Sequence, residues 1–308
     1  SYFVLPNIDE NIDSHETVDL AVELYGDNFI GLLGENSSAY YHQEIDNIIG
    51  SLSSVNRTSG YWLMLNENEE TTITGFKTSP SQEYCLHVAH NLISFPSDGF
   101  GLISPSDSQV NAGMESVLPN EIDGIVTRIM AQGTAALYSD GVWFGSLTEL
   151  EGFKGYWFMS DSQEEICFEF NIQEMDDDYL ARNIERKQKE ELLGYEFVQS
   201  SAQSFYFIKD IPTAIPGDWI ISYNDDVVVG TRQWTGEMID VPVMGYDGNN
   251  YSDDYVKQGY EPEFKLFSTI SGEIKSLYGE IPVFDNNQIH IIEYLTTDEE
   301  GIPYEVSL

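Results

Sequence analysis

Basic residues are scarce in this 308-residue chain: 13 lysines and arginines stand against 53 aspartates and glutamates, a formal net charge of −40. A polyanion gains nothing from counterion release at phosphates, so nucleic acid is excluded as a partner, and an anionic membrane surface repels it for the same reason. Cysteine is limited to Cys85 and Cys167, too few for a Cys-based zinc cluster or a disulfide-dense scaffold. One bridge in an oxidising compartment is permitted, and the sequence leaves open whether the two meet. No apolar run reaches about 18 residues, so no transmembrane helix is expected. The opening SYFVLPNIDE lacks the basic start of a signal peptide. The expectation is that an export signal has been removed and that the chain works outside the cell or on its surface. There is no G-x-S-x-G elbow, no GxxxxGK[ST] and no GxGxxG, so neither a serine nucleophile on a strained turn nor a phosphate cradle is supported.

What is present suffices to fold. Apolar residues make up 41% of the chain and aromatics 13%, far from the composition that keeps acidic chains disordered. The length predicts two or three domains. The carboxylate excess reads first as a strongly hydrated surface for salty water, with divalent-cation binding as the alternative.

Internal repetition organises the first half. Gly50-Ser51-Leu52 followed by Gly60-Tyr61-Trp62 recurs as Gly145-Ser146-Leu147 followed by Gly155-Tyr156-Trp157, with the same spacing. Upstream, GENSSAYYHQEIDNIIGSLSSVNRTSGYWLML answers AQGTAALYSDGVWFGSLTELEGFKGYWFMS once a short gap is allowed, and YFVLP at 2–6 answers LISFP at 92–96. Each unit therefore opens with a strand ending in proline. Ser14 is placed to cap a short helix carrying Val18, Ala21, Val22 and Leu24, with 108–118 as its weaker counterpart. Short aromatic and β-branched runs at 61–65, 71–76, 156–159 and 166–170 predict strands. Residues 1–80 form β-rich repeat 1 and 81–172 repeat 2. Over 173–194, acids precede bases in DDDYLARNIERKQKEELL, which suits the helix dipole and predicts a solvated linker helix.

From 195 to 308, runs such as FVQSSAQSFYFI, GDWIISYN, DVVVGTRQW, FKLFSTI and QIHIIEYL predict a β-sandwich-like module. Asn224-Asp225-Asp226 predicts a hairpin turn, and Val227-Val228-Val229 a central strand buried on both faces. The fold class is thus mainly β with short helices: two tandem α+β repeats followed by a sandwich-like domain.

The repeat pattern NLISFP, GSL and GYW resembles modules of large secreted and surface proteins of marine bacteria and related environmental sequences. The segments GDWIISYN at 217–224, VVVGTRQW at 227–234, VPVMGYDG at 241–248 and DNNQIHII at 285–292 are similar to their companion module. The resemblance implies location and architecture rather than a catalytic residue. The cysteine common after the Gly-Asp-Trp segment in that family is missing here, which excludes a disulfide at that point.

Candidate chemistry is sparse. His87 and His90 form an H-x-x-H, but YCLHVAHNLISF reads as one strand, on which positions three apart face opposite sides. His15, His42 and His290 are isolated. Asp247, Asn249, Asp253 and Asp254 in YDGNNYSDDY place hard oxygen donors on a glycine-containing turn, an arrangement that suits calcium, the one cofactor considered; a plain Asx-rich turn is the rival. Trp219 and Trp234 with Arg232 offer an aromatic platform for a sugar ring. Repeat 2 carries a lead-in, 84–90, that repeat 1 lacks before Tyr2. An open sheet edge at Tyr2–Leu5 is therefore expected to pair with another copy or a neighbouring surface protein. The reading is a non-catalytic structural, adhesive or assembly-forming protein. Carbohydrate binding is the runner-up, and hydrolysis by an unidentified acidic pair the third reading.

Overall fold

The computed structural model describes residues 2–3, 14–42, 44–71, 76, 78–97, 99–111, 113–172 and 192–299. The sequence-predicted helix at 173–194 falls almost wholly outside these, as do Leu5 and most of the predicted strand at 71–76. The chain divides into two compact units. Unit 1 takes Ser1–Gln132, Tyr138–Trp143 and Leu147–Glu174; unit 2 takes Gly133–Leu137, Phe144–Ser146 and Met175–Leu308.

Repeat 1 contains β1 (Tyr2–Phe3), β2 (Ser14–Glu16), α1 (Thr17–Tyr25), β3 (Phe29–Leu33), β4 (Ser38–His42), β5 (Asn47–Gly50), β6 (Ser54–Asn56) and β7 (Tyr61–Leu65). Repeat 2 contains β8 (Glu83–Leu86), β9 (Ala89–Ser94), β10 (Phe100–Leu102), α2 (Asp107–Asn111), β11 (Val126–Ala131), β12 (Thr134–Ser139), β13 (Val142–Gly145), β14 (Glu149–Glu151), β15 (Gly155–Ser160) and β16 (Ile166–Glu169). The five-stranded sheets run β1-β7-β3-β4-β5 and β9-β15-β11-β12-β13, one topology written twice. Each repeat adds the same two-stranded flap, β2 with β6 and β10 with β14. Even the irregularity is duplicated: β3 slips between Phe29 and Gly31 against β7, and β11 between Val126 and Arg128 against β15.

The repeated motifs have physical reasons. The tyrosine of each GYW turns its hydroxyl back to accept the backbone N–H five residues upstream, Asn56 to Tyr61 at 2.8 Å and Glu151 to Tyr156 at 2.6 Å. Its ring is buried in both copies, and burial raises both phenol pKa values. Gly50 and Gly145 sit at φ 144° and 118°, and a Cβ there would lie 2.0 Å from the Ser38 carbonyl oxygen or 2.2 Å from that of Ala135. Only glycine fits the crossing. Gly60 and Gly155 face each other, since a Cβ on either would come within 3.0 Å of the other's Cα.

Several expectations are corrected. Ser14 is part of β2 and does not cap α1, whose N-cap is Glu16 without a side-chain bond. The helix buries Thr17, Leu20 and Ala21, and Thr17 Oγ1 donates to the Leu52 carbonyl; Val18 and Val22 face solvent. The stretch YCLHVAHNLISF is two strands, β8 and β9, broken where Ala89 takes φ 73°. β8 pairs with β16 and not with β9, so the lead-in missing from repeat 1 is not the neighbour of its opening strand. β1 pairs with β7, Tyr2 opposite Trp62, and stands at the edge of its sheet.

Opposite Cys167 in the β8/β16 register stands Cys85, and the two form a disulfide. Behind it, Tyr84, Phe158, Phe168 and Phe170 bury their rings at centroid separations of 5.0–6.5 Å.

The sandwich-like module holds β17 (Ala202–Ile208), β18 (Trp219–Asn224), β19 (Val227–Gln233), β20 (Ile239–Gly245), β21 (Glu263–Phe267), β22 (Ile274–Leu277) and β23 (Ile289–Ile292). They form sheets β20-β17-β23 and β19-β18-β21-β22. Tyr206, Ile220, Val229, Trp234, Val241 and Phe264 lie in its core. The β18–β19 hairpin turns at Asp225-Asp226 as expected. β19 is an edge strand with Val227 and Val228 half-buried, which corrects the central placement. Among the described residues, no helix is long and apolar enough to cross a membrane.

Candidate functional site

The loop after β20 is organised around one carboxylate. Asp247 accepts bonds from the Ser201 N–H and hydroxyl (3.1 Å each), the Asn249 N–H (3.1 Å), the Ser252 hydroxyl (2.7 Å) and the Tyr251 hydroxyl. Desolvation pushes its pKa up, but these donors outweigh it and hold the carboxyl well below the usual range. Its lone pairs are filled by the protein. Asp253 and Asp254 are exposed, and among the described residues no three acidic, histidine or cysteine side chains of this loop bring their ligand atoms together. Asp247 and Asn249 join in the Asx-rich turn that was the rival to a calcium site. A lone Gly-containing turn carries the same residues in either case, so the sequence could not separate them.

The sugar-platform residues are also redirected. Trp219 is 7% exposed and Trp234 3%, so neither indole presents a face to a ligand. Arg232 donates Nε–H to the Asp240 carbonyl (2.8 Å), and its Nη2 to the Asp240 carboxylate (2.9 Å) and the Gly133 carbonyl (2.7 Å). Asp240, with a fully buried side chain, also accepts the Ser146 N–H at 2.6 Å and the Ser146 hydroxyl at 2.8 Å. Burial pushes its pKa up, while Arg232 and Ser146 pull it back. All of these residues belong to unit 2.

In unit 1 the corresponding serine stands in an open, polar place. A cavity of about 290 Å³ is lined by the β3–β4 turn, including Glu35 and Ser37, by Ser51, Ser53, Ser54, Asn56 and Ser59, and by Tyr61 and Leu92. Glu35 fixes one wall: its Oε1 meets His87 Nε2 at 2.6 Å and its Oε2 accepts the Leu92 N–H at 3.0 Å. His87 Nδ1–H donates to the Val88 carbonyl at 2.8 Å. That bond first, and the Glu35 carboxylate next, raise the imidazole pKa against a partial desolvation. His90, the other histidine of the H-x-x-H, stands edge-on to Trp157. Sequence reasoning missed Glu35, Ser51 and Asp240. The recurrence of Gly-Ser-Leu was the available signal, and it was read only as a mark of the duplication.

Among the described residues the other grouping of metal-type ligands is Glu83 with Cys85 and Cys167, and there both sulfurs are joined in the disulfide. The molecule so described belongs to a class by construction: a duplicated β unit with a cross-strand disulfide, and a sandwich-like module. No family model, curated protein or solved structure matches the chain.

Proposed function

We propose that this chain is an extracellular structural, adhesive or assembly-forming surface protein that performs no catalysis. The observation that carries the reading is the Cys85–Cys167 bridge, which uses both cysteines of the chain and lies exposed on β8 and β16. Such a bridge persists in oxidising surroundings and is reduced in a cytosol. The −40 charge keeps the surface hydrated in salt. Duplication of one unit is a common means of building extended binding surfaces, since each copy brings its own edge and face. The buried Trp219 and Trp234 give no support to the carbohydrate alternative.

Electron microscopy and sedimentation of the native material test the reading. Ordered assemblies or surface-bound protein are expected, with no free thiol before reduction. A protein that is monomeric, non-adherent and fully thiol-reactive in its native setting would overturn it.

A further inference from the structure

The two copies of the duplicated unit differ where part of the second copy belongs to unit 2. Counting from the shared Gly50–Ser38 and Gly145–Ala135 crossings, Tyr40 corresponds to Leu137, Ile49 to Phe144 and Ser51 to Ser146. In unit 2 this edge is covered. Leu137 is 4% exposed, a Cβ on Gly145 would lie 3.0 Å from the Phe207 ring, and Ser146 and Gly133 hold the Asp240–Arg232 pair. At the same edge of the first copy Tyr40 is 40% exposed and Ile49 45%, and Ser51 lines the 290 Å³ cavity.

We propose that the edge formed by Ser38–Tyr40 and Ile49–Ser51 is a docking site for a β module of the 195–308 kind carried by another chain. The module is held as unit 2 holds its own: its aspartate on the Ser51 N–H and hydroxyl, its apolar strand over Tyr40 and Ile49. Its arginine joins His87 and the Leu92 amide around the Glu35 carboxylate in the cavity wall, where the turn that ends at Gly133 has no acid. The aspartate–arginine pair is neutral overall, so the contact it makes adds no net charge to the edge. Among the described residues there are two copies of the edge and one such module. This inference rests on the assembly reading above and names its partner class.

The test mixes full-length chains. A Ser146→Asp chain sets a second carboxylate against Asp240 and loosens its module from its own edge; it serves as the probe. Sedimentation at about 50 µM should show it binding the intact chain one to one. Ser51→Asp or Tyr40→Glu in the intact chain should weaken binding at least about tenfold. A folded probe that does not bind, or binds the Ser51→Asp chain equally well, overturns the site. If near-ultraviolet dichroism shows the probe unfolded, amide exchange of the intact chain at about 10 µM and about 1 mM decides instead. Protection at Tyr40 and Leu52 that rises with concentration, and fails to rise in Ser51→Asp, supports the site; unchanged protection overturns it. If native material assembles while these variants behave as wild type, the docking site fails and the assembly reading stands. If the mixture binds while native material never assembles, the reverse holds.

Discussion

Truncating Asp240 to alanine should be among the most damaging single changes in unit 2. The carboxylate is fully buried and answers three charge-assisted or strong donors, the Ser146 N–H at 2.6 Å, the Ser146 hydroxyl at 2.8 Å and Arg232 Nη2 at 2.9 Å. Removing it leaves a guanidinium only 14% exposed without its counter-charge. Breaking one side of such a pair costs about 3–5 kcal/mol. For a cooperative unit of this size each kcal/mol moves the midpoint about 2–4 °C, so the shift is about 6–20 °C. Arg232→Ala should cost a similar amount. The double variant Arg232→Met with Asp240→Leu should cost well under the sum, because no buried charge remains; what persists is about 1–3 kcal/mol for the unpaired Ser146 and Gly133 groups. Denaturant melts, with amide exchange at β17 and β20 reporting unit 2, supply the numbers. Additive singles, or an Asp240→Ala cost below about 1 kcal/mol, would refute a buried, coupled pair.

Reduction of Cys85–Cys167, or Cys85→Ala with Cys167→Ala, frees a loop of sequence separation 82 and should destabilise unit 1 by up to about 4–5 kcal/mol in the chain-entropy account; a reduced protein with an unchanged melting midpoint would contradict this. His87 has a raised folded pKa, so its contribution is complete below the ordinary value of 6.5 and is lost as pH rises through the folded value. The unit 1 midpoint should therefore fall over that window, and His87→Gln should flatten the profile. Gly60→Ala places a Cβ 2.8 Å from the Ile93 carbonyl oxygen and 3.0 Å from Gly155 Cα, and should cost about 1–3 kcal/mol by denaturant titration. Raising monovalent salt from low to seawater-like levels should hold or raise stability, since repulsion among 53 acids is screened; a falling midpoint would show that attractive pairs dominate.

The fold was legible where periodicity and repetition were strong. The duplication was visible in GSL and GYW alone, and it extends to strand order, the bulges at Ile30 and Thr127, and the tyrosine that accepts an upstream amide. The strands of the sandwich-like module were legible for the same reason, save β20 and β22. β22 is a short, exposed edge strand, IKSL, with no alternation to mark it. β20 is buried at all seven positions and carries Asp240 and Pro242, residues that argue against a strand unless a specific partner satisfies them. Arg232 supplies that partner, eight residues away and on the other sheet. The candidate sites were illegible because they depend on three-dimensional satisfaction. Nothing in the sequence marks Asp247 as the acceptor of six hydrogen bonds, and Trp234 reads as a platform until it is seen to be 3% exposed.

Duplication makes the remaining differences informative. Two copies of one unit begin with the same requirements, so a position that keeps its residue type in both serves the unit itself. Gly60 and Gly155 meet each other, and Tyr61 and Tyr156 each close a turn on their own backbone. A position that diverges answers to surroundings that the copies do not share. Leu137 is apolar and buried within unit 2, while Tyr40 carries a hydroxyl at an exposed place. Ser51 and Ser146 did not diverge, although one meets a buried carboxylate and the other an open cavity. A serine needed only to complete its own turn would make the same local bond in both copies, and Ser51 makes a long one, 3.4 Å from the Ser38 amide. The retained side chain is the one that the proposed docking of a carboxylate at Ser51 requires.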